Sequence, residues 1–167
     1  MNNFKYYIAE LNGYLQSLRR LRGFGYCFSA HTYDLKVDID QFAKETLCKW
    51  DESGAYKYLG KSLIEYRNLE DRITGIIFGG ALNLENVNNE KSKKNIKKMV
   101  IEDINEYYGL ASTSLDTKGH FHPLITGPVY ELNIENSNFT SIFFYIVQIG
   151  KYYVLTGFTH RKKSVQI

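Results

Sequence analysis

The sequence predicts an α+β fold: a helical N-terminal part with a short sheet, then a helix packed on an antiparallel meander of three to four strands. Apolar residues near the N-terminus recur at helical spacing, whereas the C-terminal apolar runs alternate with a period of two and are separated by turn residues. Composition points the same way. The 167 residues include 2 prolines against 14 tyrosines and 10 phenylalanines, so backbone breakers are few and there is much aromatic surface to bury. With 44% hydrophobic and 23% charged residues, the chain has the balance of a globular protein and is neither low-complexity nor linker-like.

From Phe4 to Leu21, Phe4, Ile8, Leu11, Leu15 and Leu18 mark one helical face. Arg19, Arg20 and Arg22 fall in the last turn, where the helix dipole favours cations, and Gly23 supplies the stop. Tyr33, Leu35, Val37 and Ile39 alternate with polar residues as a half-exposed strand, after which Asp40 offers an N-cap for a helix through Trp50. A second helical stretch is expected from about Ser53 to Arg67, weakened by Gly54 and Gly60, and a short apolar strand from Ile73 to Phe78. The asparagine-rich run 83–89 reads as an exposed loop and as the boundary between regions 1–82 and 83–167, if these are not one continuous domain. A further helix spans Glu90 to Tyr108, with Ile96, Val100, Ile104 and Tyr107 facing a core. Three strands follow, Val129–Ile134, Thr140–Ile149 and Tyr152–Thr159, joined by Asn136-Ser137-Asn138 and a tight turn at Gly150-Lys151. The middle strand is apolar on both faces and belongs at the centre, covered on both sides.

Several familiar chemistries have no foothold. Cys27 and Cys48 form neither a disulfide framework nor a C-x-x-C pair, so a reducing cytoplasm is expected. No apolar run reaches the roughly 20 residues that span a bilayer, and the N-terminus leads directly into an amphipathic pattern instead of a signal-peptide core. There is no phosphate-binding G-x-x-x-x-G-K loop and no G-x-S-x-G elbow. The run from Arg22 to Phe28 invites comparison with an RNA-recognition motif, but it directly follows a helix and Ser29 replaces the last aromatic; a helix stop followed by a buried strand accounts for it better. His120 and His122 alternate as metal ligands on a strand do, with Asp116 nearby, yet no third ligand is evident, so no metal or cofactor is expected.

The positive charge is distributed unevenly, although the net charge is only +3. Lys91, Lys93, Lys94, Lys97 and Lys98 occupy the first half of the helix beginning at Glu90, with Glu102, Asp103 and Glu106 in the second, the reverse of the macrodipole's preference. These lysines are either solvated at small cost or rewarded by an anionic partner. After Glu135 no acidic residue occurs, while Lys151, His160, Arg161, Lys162 and Lys163 all follow. Such a field attracts an RNA backbone, and an imidazole beside guanidinium and ammonium groups has the parts for proton transfer with stabilisation of a phosphorane-like charge. An ordinary solvated basic tail is the competing explanation.

Residues from about Glu90 to Ser164 resemble the RelE/HigB-type toxins, messenger-RNA endonucleases of bacterial toxin–antitoxin systems. The likeness rests on a helix, a proline-containing approach, a strand Tyr130-Glu131-Leu132-x-Ile134, an aromatic strand, then Val154-Leu155-Thr156-Gly157-Phe158 followed by basic residues. Ile73 to Phe78 is expected to supply the family's first strand. The resemblance implies a cytoplasmic, metal-independent endoribonuclease acting on messenger RNA, in some cases on the ribosome, and held in check by a neutralising protein. His160, Arg161 and Lys162 would be catalytic; Lys163, Lys151, Lys93, Lys94 and Lys97 would hold the RNA. Glu131 matches a position that is chiefly structural in the family. Asn133, and Ser141 with Ile142, stand where the family commonly carries RNA-binding arginines. That departure favours the alternative, a non-catalytic protein-binding module such as an immunity, antitoxin or phage counter-defence protein; a plain nucleic-acid binder is a third reading.

Overall fold

The computed structural model describes residues 3–22, 25–34, 38–50, 56–78, 89–115, 128–136 and 138–162. The elements run α1 (Asn3–Arg22), β1 (Tyr26–Asp34), α2 (Ile39–Trp50), β2 (Lys57–Ile64), α3 (Tyr66–Phe78), α4 (Glu90–Thr113), β3 (Val129–Glu135), β4 (Phe139–Ile149) and β5 (Tyr152–Arg161). The strands form one five-stranded sheet in the order β1-β5-β4-β3-β2, with every neighbouring pair antiparallel. The C-terminal meander is therefore the middle of the sheet, and the N-terminal region contributes a strand to each edge. β4 is central, as its two apolar faces require: Phe143, Tyr145 and Val147 enter one core and Phe144 and Ile146 the other. Gly150 turns β4 into β5 at a φ of 55°, a conformation that disfavours side chains.

The two faces are covered differently. On one, α1, α3 and α4 bury Phe4, Ile8, Leu69, Ile73, Val100 and Ile104 against Phe28, Phe143, Tyr145, Val154 and Phe158. On the other, α2 alone packs Ile39, Phe42, Ala43 and Leu47 against Leu132, Phe144, Ile146, Tyr153 and Leu155. A buried hydroxyl group ties the larger core together: Tyr108 Oη is bonded to Thr156 Oγ1 and donates to Tyr145 Oη at 3.2 Å. Burial pushes the Tyr108 phenol up to about 12, so it stays protonated as a donor.

Two expected elements are exchanged. The stretch expected as helix between Ser53 and Arg67 holds β2, because pairing with β3 from Lys57↔Glu135 to Ile64↔Val129 outweighs a helical propensity already weakened by Gly60. Ile73–Phe78, expected as a strand, is the second half of α3: Leu69, Ile73 and Ile77 lie four apart and are all buried, a helical stripe that a six-residue window cut short. The helix expected to begin behind Asp40 is instead capped by Asp38, whose carboxylate accepts from the backbone N–H groups of Asp40 and Gln41 at 2.8 and 3.0 Å. β1 begins at Tyr26, earlier than the alternation at 33–39 indicates; residues 35–37 lie outside the described residues. α4 runs on to Thr113 and buries Tyr108, whereas Ile96 and Tyr107 are only half-buried. Gly23, Cys48's side chain and the asparagine-rich 83–88 also lie outside the described residues.

Candidate functional site

Three elements bring cations to one end of the molecule. α1 starts with Phe4 stacked on Tyr152, ring centroids 4.4 Å apart, and ends with Arg22 over Tyr26, so Arg19, Arg20 and Arg22 lie beside the end of β5. α4 runs the opposite way: Leu115, just past its C-terminus, packs beside Gly150 in the β4–β5 turn, which leaves its lysine-rich first half toward the other end. β5 itself finishes there in His160, Arg161 and Lys162. Its last residues are held from both sides, the Arg161 N–H donating to the Gly25 carbonyl at 2.9 Å and the Lys162 N–H to the Asn138 carbonyl at 3.0 Å.

Within that end the alternation of a strand separates the candidates. His160 pairs with Tyr26 across β1 and β5 and stacks face to face on its ring, 3.9 Å between centroids and 5° between planes. The same tyrosine carries the Arg22 guanidinium 4.4 Å from its ring centroid, and its hydroxyl oxygen accepts a 2.9 Å hydrogen bond from Arg22 Nη2. His160 thus belongs to the helix-covered face, half-buried. Arg161, one residue along, belongs to the opposite face, where its guanidinium lies 5.6 Å from the ring centroid of Phe139.

The lysines of α4 are similarly split by their contacts. Lys93 bonds Glu90 at 2.8 Å and holds that carboxyl below the usual carboxylate range; Lys98 pairs with Glu102 at 3.4 Å, and Lys97 sits 5.9 Å from the Phe78 ring. Lys94 is exposed. Lys151 lies at the far end of β5, in the turn and against Tyr152, about 30 Å from Arg161 at the rise of a strand. Lys163, His120, His122 and Asp116 lie outside the described residues. Ser62 accepts a 3.1 Å hydrogen bond from Asn133 Nδ2, and Glu131 pairs with Arg72, so both positions tie β3 to its surroundings.

The open face holds a feature that no short motif announces. Along β5 its residues run Tyr153, Leu155, Gly157, Thr159, Arg161, and along β1 they run Tyr33, His31, Ser29, Cys27. The large side chains lie beneath α2; beyond them the floor falls away to small ones. The hollow is a cavity of about 840 Å³, walled by Tyr56, Phe139 and Phe144 and rimmed by Arg161 and Lys162. Gly157 shapes it, because a Cβ there would collide with the ring of Phe144, which lies directly over the β5 backbone. Partial burial lowers the pKa of His31 at the inner end. Among the described lining residues two are cations and none is acidic.

No protein-family model matches this chain, and no curated protein matches it. Among the described residues no helix is long and apolar enough to cross a membrane.

Proposed function

We propose that the chain acts on messenger RNA as a toxin of the RelE/HigB type, a metal-independent endoribonuclease. The observation that carries this reading is that β5 ends in His160, Arg161 and Lys162 with the Arg22 guanidinium of α1 over the same Tyr26 ring on which His160 stacks. Ile73–Phe78, expected as the family's first strand, is the second half of α3, so that part of the resemblance does not hold. In the reaction, the 2′-oxygen of a ribose bonds to the adjacent phosphorus and the bond from phosphorus to the 5′-oxygen breaks. The 2′-hydroxyl loses a proton, the leaving 5′-oxygen gains one, and a 2′,3′-cyclic phosphate remains. His160 is the proton-transfer group on the helix-covered face, and Arg161, on the opposite face, holds a flanking phosphate and draws the strand to the end of β5.

A non-catalytic binder, an immunity, antitoxin or counter-defence protein, is the second reading. It is favoured by the placing of His160 and Arg161 on opposite faces of β5 and by Asn133 bonding Ser62 where the family has an RNA-binding arginine. Expression in a bacterium separates the two. An endoribonuclease arrests growth, His160→Ala and Arg161→Ala relieve the arrest, and the purified protein cuts RNA in the presence of a chelator. A chain that is harmless alone and leaves RNA intact is a binder.

A further inference from the structure

We propose that the open-face cavity is the nucleotide subsite of this RNA interaction, taking one unpaired base against the Tyr56–Phe139 wall and its flanking phosphate on Arg161 and Lys162. The inference rests on the RNA reading above and deepens it, since one side of the subsite is built by Tyr26, Cys27, Ser29 and His31 of β1, a strand outside the stretch that resembles the toxins.

Four features of the cavity converge on a flat anionic ligand. Its size lies within the roughly 300–1,000 Å³ of small-molecule sites. Its wall is aromatic: the Tyr56 and Phe139 rings are 5.6 Å apart and inclined by 28°, and Phe144 meets Tyr56 edge-on at 6.3 Å, so planar surface is already held in place without a ligand. Bases stack on such platforms whatever their sequence. The rim is cationic, and the 2.9 and 3.0 Å backbone bonds that fix Arg161 and Lys162 at their N–H groups limit where those side chains reach. The floor is small and polar. Ser29 and Thr159 supply hydroxyl groups at the depth where the edge of a base would lie, and Gly157 has no side chain to fill that space.

His160 does not line the cavity, but Gln16 of α1 and Tyr26 do, so the hollow opens around the β1 edge toward the ring on which His160 stacks. A strand that places a base here passes its backbone around the end of β5 to reach the imidazole stacked on Tyr26. The subsite is therefore a positioning site, and its test is binding as well as cleavage.

Titration of the ¹⁵N-labelled protein with adenosine 5′-monophosphate, followed by amide chemical shifts, reads the cavity independently of any RNA. The expected result is shifts confined to Ser29, Tyr56, Phe139, Gly157, Thr159 and Arg161, with much weaker shifts from inorganic phosphate. Cys27→Phe, at an exposed position, and Ser29→Trp fill the hollow while keeping every cation, and should each weaken adenosine monophosphate and a labelled single-stranded RNA by roughly tenfold or more. Thermal melts of both variants establish that they fold. Equal shifts from phosphate and nucleotide, shifts only at the α4 lysines, or no shifts with millimolar nucleotide would overturn the proposal. RNA binding unchanged by folded Cys27→Phe protein would overturn it too while leaving the RNA reading standing. Nucleotide shifts at the cavity in a protein that ignores RNA would instead remove the RNA reading.

Discussion

The two faces of the sheet solve the same problem to different degrees. On the helical face three helices close over a run of aromatics, and Phe28, Phe143, Tyr145 and Phe158 touch one another in tilted and stacked pairs with almost no exposure. On the open face one helix covers the part of the sheet that carries large side chains and stops where β1 and β5 turn to glycine, serine and threonine. Covering a face is thus a matter of side-chain volume written along each strand, and the uncovered part is where small residues and terminal cations coincide. Packing is concentrated on the first face, and the cavity lies on the remainder of the second.

The largest effect is expected from Phe158→Ala on the closed face. The ring is fully buried between Phe28, Phe143 and Tyr145, and its loss should cost about 3–5 kcal/mol in denaturant unfolding. Next comes Gly157→Ala: the new methyl must displace the Phe144 ring, costing about 1–3 kcal/mol, and should weaken nucleotide binding by reshaping the cavity wall. If this variant proves as stable as the native chain, the floor is looser than its geometry states.

Asp40 gives a smaller effect with a definite pH dependence. Its hydrogen bond from the Lys61 ammonium, then that from the Tyr58 hydroxyl, hold the carboxyl below its usual range, joining α2 to β2 across the open face. A folded-state pKa that is depressed stabilises the fold above the unfolded value, near pH 4, and that contribution is lost as the pH falls through the lowered value. Asp40→Asn should therefore cost about 1 kcal/mol or less at pH 7, because the pair is partly solvated, and the difference from the native chain should vanish in acid. A constant difference between pH 7 and pH 2.5 would contradict this assignment. Smallest of all, Cys27→Ser on the exposed floor should change stability by no more than about 0.5 kcal/mol.

Much of this architecture is legible in the order of residues. Phe4, Ile8, Leu11 and Leu15 announce α1 because a helix with one buried face needs that spacing, and all four are buried. β4 reads as central because Ile142 to Val147 leaves no polar face for water. β2 and α3 do not read correctly, since Lys57–Ile64 owes its conformation to β3, which lies far along the chain, and a short window on Ile73–Phe78 hides the stripe shared with Leu69. The same limit applies to the site. Arg161 and Lys162 stand out as a basic run, but their face depends on pairing register. Tyr56, Phe139 and Ser29 belong to separate segments and meet only because β5 pairs with β1 on one side and β4 on the other. One local signal was present: the succession Gly157, Thr159, Arg161 on one face of β5, against Phe158 and His160 on the other, marks where covering ends.

The central claim is that the cationic end of the sheet engages RNA, and the most direct measurement is the salt dependence of binding to a short labelled single-stranded RNA. Between about 50 and 200 mM salt the native chain should show a steep linear fall of log affinity with log salt, flattened by about 1.4 in slope when Arg161 and Lys162 are both changed to Gln. No binding at the lowest salt, or the same slope for both proteins, would contradict it.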